Sequence, residues 1–139
     1  MTLAKNAELT AVMEVNMKFA ERIWTKYGAA KAYDTVEGLL SDADVDAVYI
    51  ASPVVCHKEQ AIMAAKAKKH ILIEKPIAMT AAEGLEVVEI CRDEGVLIAA
   101  GFMMRFGACN GKMQEMIQVG ILGKIVSCGA RFSCWYPDM

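Results

Sequence analysis

The sequence predicts an α/β fold in which a parallel sheet is flanked by helices, and three observations carry that prediction. Short apolar runs of strand type alternate with helical patterns along nearly the whole chain, the rhythm of βαβ units. One such run, Ile71-Leu72-Ile73, ends abruptly in Glu74-Lys75-Pro76, so an acid and a base fall at a strand's carboxyl end, where ligands sit in open α/β sheets. The runs are short and nearly continuous, which suits strands buried on both faces of a parallel sheet.

Taken in order, Glu8–Val15 is β-branched and apolar and reads as the first strand. Asn16 can cap a helix directly after it, because its side chain accepts free amide hydrogens of a first helical turn. Ala20, Ile23, Trp24 and Tyr27 then recur at helical spacing, and Gly28 ends the helix. A short strand is expected at Lys31–Tyr33, followed by a brief helix capped by Asp34 with Glu37 three residues on. Asp46–Ser52 is a further strand, closed by Pro53. His57–Lys69 reads as a helix whose late lysines complement its negative end. After the Ile71–Ile77 stretch, Thr80-Ala81-Ala82-Glu83 forms a capping box that opens a helix to about Glu94, with Gly95 as its stop. Val96–Phe102 returns to strand, and a helix is expected from about Arg105 to Val119. Beyond Gly123, Lys124–Tyr136 alternates as an antiparallel strand does.

Composition narrows the function. The chain of 139 residues is 55% hydrophobic and 23% charged, which fits one globular domain able to bury a core. A net charge of −2 argues against a nucleic-acid footprint. No apolar run reaches the length of a membrane span, and the N-terminus carries no secretory pattern. Cys56, Cys91, Cys109, Cys128 and Cys134 show no metal-site rhythm, so reduced thiols in a cytoplasmic protein are expected, with no metal.

Glu14 ends the first strand, where dinucleotide-binding folds place an acid on the adenosine ribose hydroxyls. Such an acid repels a 2′-phosphate and favours NAD over NADP; the alternative is an ordinary solvated carboxylate. Ser52, Pro53 and His57 follow the Asp46–Ser52 strand at the same sheet edge, although a helix-start histidine can equally face solvent. Glu74 and Lys75 can form a mere surface ion pair, which contributes little. Arg105 suits either a site mouth or a salt bridge at a helix start.

Together these residues resemble the glucose–fructose oxidoreductase and inositol dehydrogenase family of NAD(P)-dependent sugar and polyol oxidoreductases. The matching pieces are Ala11-Val12-Met13-Glu14, Asp46–Pro53 with His57, Glu74-Lys75-Pro76, Gly101–Phe106 and Gly120–Ile125. The resemblance implies a Rossmann-type fold and hydride transfer between nicotinamide and a hydroxyl or carbonyl carbon. It implies Lys75 as the catalytic residue that touches substrate and nicotinamide and helps move the accompanying proton. Glu14, Ser52, Pro53, His57, Glu74, Lys75, Pro76 and Arg105 are the implied cofactor-binding residues, and Pro76 is expected to follow a cis bond. The implied ligands are NAD, with NADP disfavoured, and a sugar or polyol-like substrate. A homo-oligomer with no nucleic-acid or membrane partner is expected.

Two departures qualify the resemblance. The family's first strand and Gly-rich turn have no counterpart upstream of Glu8, so nothing in the sequence cradles a pyrophosphate at a helix N-terminus. Downstream, the chain is expected to end one strand into a second α+β domain, without that domain's acid–base residues. The expected division is residues 1–123, an incomplete Rossmann domain, and 124–139, the start of the substrate and oligomerisation domain. In the strand order 3-2-1-4-5-6 the absent strand is central. Three outcomes are then open: its neighbours pair directly, another chain fills the gap, or the fold is poor. The competing reading is accordingly a non-catalytic remnant or association module of the same fold.

Overall fold

The computed structural model describes residues 5–131, 133 and 135. Two compact units divide at Gly101/Phe102: Met1–Gly101 and Phe102–Met139. The first unit runs β1 (Ala11–Met13), α1 (Met17–Tyr27), β2 (Lys31–Tyr33), α2 (Val36–Leu40), β3 (Ala47–Ile50), a 3₁₀ turn (Val54–Cys56), α3 (His57–Lys66), β4 (His70–Ile73), α4 (Ala81–Asp93) and β5 (Ile98–Ala100). Every pairing is parallel, but the strands form two sheets, β1–β2 and β3–β4–β5. β1 and β3 do not pair with each other, and neither has a second partner strand among the described residues.

Local chemistry sets the element ends. The Asn16 side chain accepts the Lys18 amide at the start of α1, and Gly28 closes α1 at φ 72°, a left-handed turn that glycine adopts without strain. The cap of α2 is Thr35 rather than Asp34: its hydroxyl accepts the Gly38 amide. Helix α3 stops at Lys66, short of Lys69, because the chain turns left-handed at Lys68, φ 61°. Thr80 caps α4 by accepting the Glu83 amide, while the Glu83 carboxylate reaches back one residue further than a simple capping box, to the Met79 amide. The strand expected over Glu8–Val15 shortens to Ala11–Met13 and that over Val96–Phe102 to Ile98–Ala100.

The core lies on one face of the three-stranded sheet. Ile50, Ile71 and Ile73 pack against Ala61, Ala64 and Ala65 of α3 and Val87 and Cys91 of α4. The three alanines sit at helical spacing, and their small side chains let α3 lie close on the sheet. β4 is not buried on both faces as expected: Ile71 and Ile73 are 4% and 0% exposed, whereas Leu72 between them is 43% exposed. Helices cover one face of this sheet; the other presents Tyr49, Leu72 and Ala99, cross-strand neighbours in the register.

A charged stitch joins the two sheets at the amino ends of their strands. Asp42, buried just before β3, accepts the Lys31 ammonium at 2.9 and 3.0 Å and the Tyr33 hydroxyl at 3.0 Å. Lys31 also reaches Asp44 at 2.8 Å, and Lys69 donates to the Asp42 carbonyl at 2.8 Å. The Lys31 ammonium holds the Asp42 carboxyl below its ordinary range, helped by the Asp44 amide. Asp44 and then Asp42 hold Lys31 above its own.

The second unit has a 3₁₀ turn (Met103–Phe106) and α5 (Ala108–Gln118). The helix expected from Arg105 begins three residues later, because Gly107 is extended. No strand forms at residues 124–131, 133 and 135, which are exposed; a lone alternating segment has no ladder to join. Phe132, Cys134 and Tyr136 of the expected strand lie outside the described residues.

Candidate functional site

Parallel pairing in register brings the carboxyl ends of β3, β4 and β5 side by side, so Ser52-Pro53, Glu74-Lys75-Pro76 and Gly101 share one sheet edge. Glu74 is the most constrained of these. Its carboxylate accepts the Tyr49 hydroxyl at 2.6 Å and the Lys75 amide at 3.1 Å. Gly101 leaves it room: a Cβ there would stand 3.2 Å from a Glu74 oxygen. The Tyr49 hydroxyl, then the Lys75 amide, lower the Glu74 carboxyl below its ordinary range, and Glu74 in turn raises the Tyr49 phenol.

Lys75 is exposed, and its ammonium makes no hydrogen bond or ion pair among the described residues. The bland surface pair with Glu74 is therefore not formed; Tyr49 takes that carboxylate instead. The Lys75–Pro76 bond is cis, as expected.

His57 is 2% exposed and does not face solvent. Its Nδ1 lies 2.9 Å from the Pro76 carbonyl and its Nε2 2.9 Å from the Ser52 carbonyl. The ring therefore bridges the turn after β3 and the turn after β4; both partners are acceptors, so a neutral ring donates to one of them, according to its tautomer. Ser52 is braced too, donating from Oγ to Gln60 at 2.6 Å. Pro53 opens the 3₁₀ turn. Glu14 follows β1, in the other sheet; its carboxylate accepts the Asn16 amide at 3.2 Å. Arg105 is exposed in the 3₁₀ turn of the second unit, without an ion pair among the described residues. A concavity lined by Val55, Lys58, Glu59, Ile62, Met63 and Glu83 contains none of these residues. Among the described residues no cluster is suited to a metal, and no helix is long and apolar enough to cross a membrane.

Sequence reading missed Tyr49, Gln60 and Gly101. Tyr49 stands on the same sheet face as Glu74 one strand away, a relation fixed by register and invisible in a linear sequence. Gly101 carried a weak signal, since a glycine directly after a strand often marks a close approach.

A parallel α/β sheet with a braced acid–lysine–proline corner at its carboxyl edge defines a Rossmann-type domain of the nucleotide-binding class. Residues 1–102 match the Gfo/Idh/MocA family, described as an oxidoreductase family with an NAD-binding Rossmann fold, and the chain belongs to that family. It is similar to a 1,5-anhydro-D-fructose reductase of Ensifer adhaerens, 31% identical over 96% of this chain and 40% of that one. Among solved structures it resembles scyllo-inositol dehydrogenase from Lactobacillus casei with bound NAD(H) and scyllo-inositol, at TM-score 0.81 and 25% identity over 88% of this chain and 36% of that one. It also resembles a 3-ketoreductase from Actinomadura kijaniata in complex with TDP-benzene and NADP, at TM-score 0.75 and 29% identity, covering 82% of this chain and 36% of that one. The chain thus spans well under half the length of these relatives.

Proposed function

We propose that the chain supplies the nicotinamide-facing part of an NAD(P)-dependent oxidoreductase acting on a hydroxyl or carbonyl carbon of a sugar or polyol-like substrate. The observation that carries this is the Lys75 ammonium, displayed without a partner among the described residues at the ligand edge of the sheet. It stands on backbone held by Glu74, His57 and Pro76. An ammonium placed there stabilises a developing alkoxide and donates a proton to it when a carbonyl is reduced, the neutral amine taking the hydroxyl proton in the reverse direction; such assistance is typically worth ~10²–10⁴-fold. Glu74 orients the lysine's backbone rather than pairing with its side chain. His57 keeps the Ser52 and Pro76 turns at a fixed separation.

The residues suit the two riboses and the nicotinamide better than they suit the pyrophosphate. Glu14 is placed after β1 to accept ribose hydroxyls, and it disfavours a 2′-phosphate, so NAD is the preferred form. Asn16 follows after one residue and is engaged in capping α1, leaving no glycine cradle between β1 and α1. When bound, the nicotinamide supplies or accepts the hydride. The working form is a cytoplasmic homo-oligomer bound to neither nucleic acid nor membrane.

The reaction class is tested by grafting this chain into the frame of the L. casei scyllo-inositol dehydrogenase and supplying a polyol deuterated at its carbinol carbon. Transfer of the label into NADH is the expected result; turnover without transfer would sink the proposal. The second reading, an association module, is favoured by the edges of β1 and β3 that pair with no strand among the described residues.

A further inference from the structure

Two carbonyl oxygens converge on one buried imidazole. His57 Nδ1 stands 2.9 Å from the Pro76 carbonyl, and Nε2 stands 2.9 Å from the Ser52 carbonyl. A neutral ring carries one N–H, so its other nitrogen would aim a lone pair at a carbonyl lone pair. The residue is 2% exposed, which leaves the ring little water to turn to. Among the described residues neither carbonyl accepts another hydrogen bond. Only the imidazolium, a donor at both nitrogens, satisfies the two contacts together, and it makes each of them charge-assisted.

Burial disfavours a charged ring, and the surroundings offset that cost. Glu74 carries the opposite charge on the turn after β4. The Tyr49 hydroxyl and the Lys75 amide lower its carboxyl most, and the charges of Lys75 and His57 add to this. Lys75, a like charge on the same turn, is exposed to solvent. Tyr49 of β3 is engaged by Glu74. On the helices, Lys58 of α3 pairs with Glu86 of α4 at 2.8 Å, and Glu83 of α4 accepts the Met79 amide. Glu59 of α3 and Glu37 of α2 are exposed. Glu74 is thus the carboxylate whose field reaches the ring.

We infer that His57 is a positioning residue that works as an imidazolium: it donates to the Ser52 and Pro76 carbonyls together, and losing a proton frees one of the two turns. The consequence for turnover rests on the oxidoreductase reading, because the Pro76 turn carries Lys75. A freed turn lets the ammonium drift from the reacting oxygen, and misplacement of about an ångström costs up to ~10²-fold.

The ring is read directly by nuclear magnetic resonance on the whole chain with isotope-labelled histidine. His70 is the internal reference for a bare nitrogen, since its Nδ1 accepts the Leu97 amide at 3.1 Å; His70→Gln assigns the signals. At about pH 5, the lower end of the ordinary histidine range, both His57 nitrogens should carry protons. Each should show a coupling across its hydrogen bond to the Ser52 or Pro76 carbonyl carbon. As pH rises until the ring releases a proton, one coupling should vanish and that carbonyl carbon should shift. A bare His57 nitrogen at about pH 5 overturns the inference, as does proton release that leaves both carbonyl carbons unmoved. In the grafted enzyme, turnover for carbonyl reduction should fall ~10–100-fold through the ring's own midpoint. His57→Gln has a single nitrogen and cannot donate to both carbonyls, so it should lack that limb. A limb that survives in folded His57→Gln overturns the positioning role. Should the glutamine variant not fold, the ring titration, which needs no substitution at His57, decides the inference. Absence of turnover at every pH would count against the oxidoreductase reading, whereas the ring titration is read without turnover, so the two failures are distinct.

Discussion

Replacing Ile73 by alanine strikes the point where fold and site join, because Ile73 is the buried end of β4 and Glu74 and Lys75 follow it directly. Ile73 is 0% exposed and packs within the cluster of α3 and α4. The substitution removes three carbons, at ~0.8 kcal/mol each or ~2.5 kcal/mol, and the cavity left behind raises the cost to ~3–4 kcal/mol. Leu72→Ala removes the same number of carbons from a side chain 43% exposed, so it should cost less than half as much. Against a typical total of ~5–15 kcal/mol, the first loss is severe and the second tolerable. Urea unfolding followed by circular dichroism reads both, with equal slopes confirming that only stability has changed. Equal losses at the two positions would refute the one-sided core and, with it, the claim that β4 presents its other face outward.

Other outcomes rest on particular contacts. Gly101→Ala places a methyl 3.2 Å from a Glu74 oxygen and should push the carboxylate aside by a few tenths of an ångström. The Tyr49 phenol, raised by that carboxylate, should then ionise at lower pH; ultraviolet titration of the variant reads the change, and an unaltered profile would refute the contact. Asp42 sits below its ordinary carboxylate range in the folded chain, so its contribution is present above about pH 4 and is lost as pH falls through the lowered value. Asp42→Asn should therefore flatten the acid limb of the stability curve, and an unchanged limb would exclude the stitch. Cys91 is 1% exposed and burial raises its thiol, whereas Cys109 and Cys128 are exposed. A thiol reagent should label the exposed pair well before Cys91, as peptide mapping over time would show.

The sequence carries those parts of the fold that local chemistry decides. Asn16, Gly28, Thr80 and Gly95 mark helix ends by capping and left-handed turns, and each stands where those rules place it. The cap falls on Thr35 instead of Asp34 because either residue type can accept an amide, and sequence does not separate the two. Burial of β4 on one face only is hidden in the sequence because a continuous apolar run does not reveal which faces receive helices. The alternation after Gly123 suggests a strand, but a strand exists only with a partner, and pairing is a tertiary event. At the site, the strand-end position of Glu74 and Lys75 is legible from the abrupt change of polarity and the proline. The partners that hold the corner are not: Tyr49 reaches Glu74 across strands, and His57 reaches the Ser52 and Pro76 carbonyls through the fold.

The central claim is that Lys75 does chemistry rather than hold structure. It is tested by measuring turnover and melting temperature on the same preparation of the grafted enzyme. Lys75→Ala should lower turnover ~10²–10⁴-fold with little change in melting temperature, because the exposed ammonium makes no hydrogen bond or ion pair among the described residues. Lys75→Arg should not restore turnover, since a guanidinium keeps its proton near neutral pH. A Lys75→Ala enzyme that melts early yet turns over normally would contradict the account.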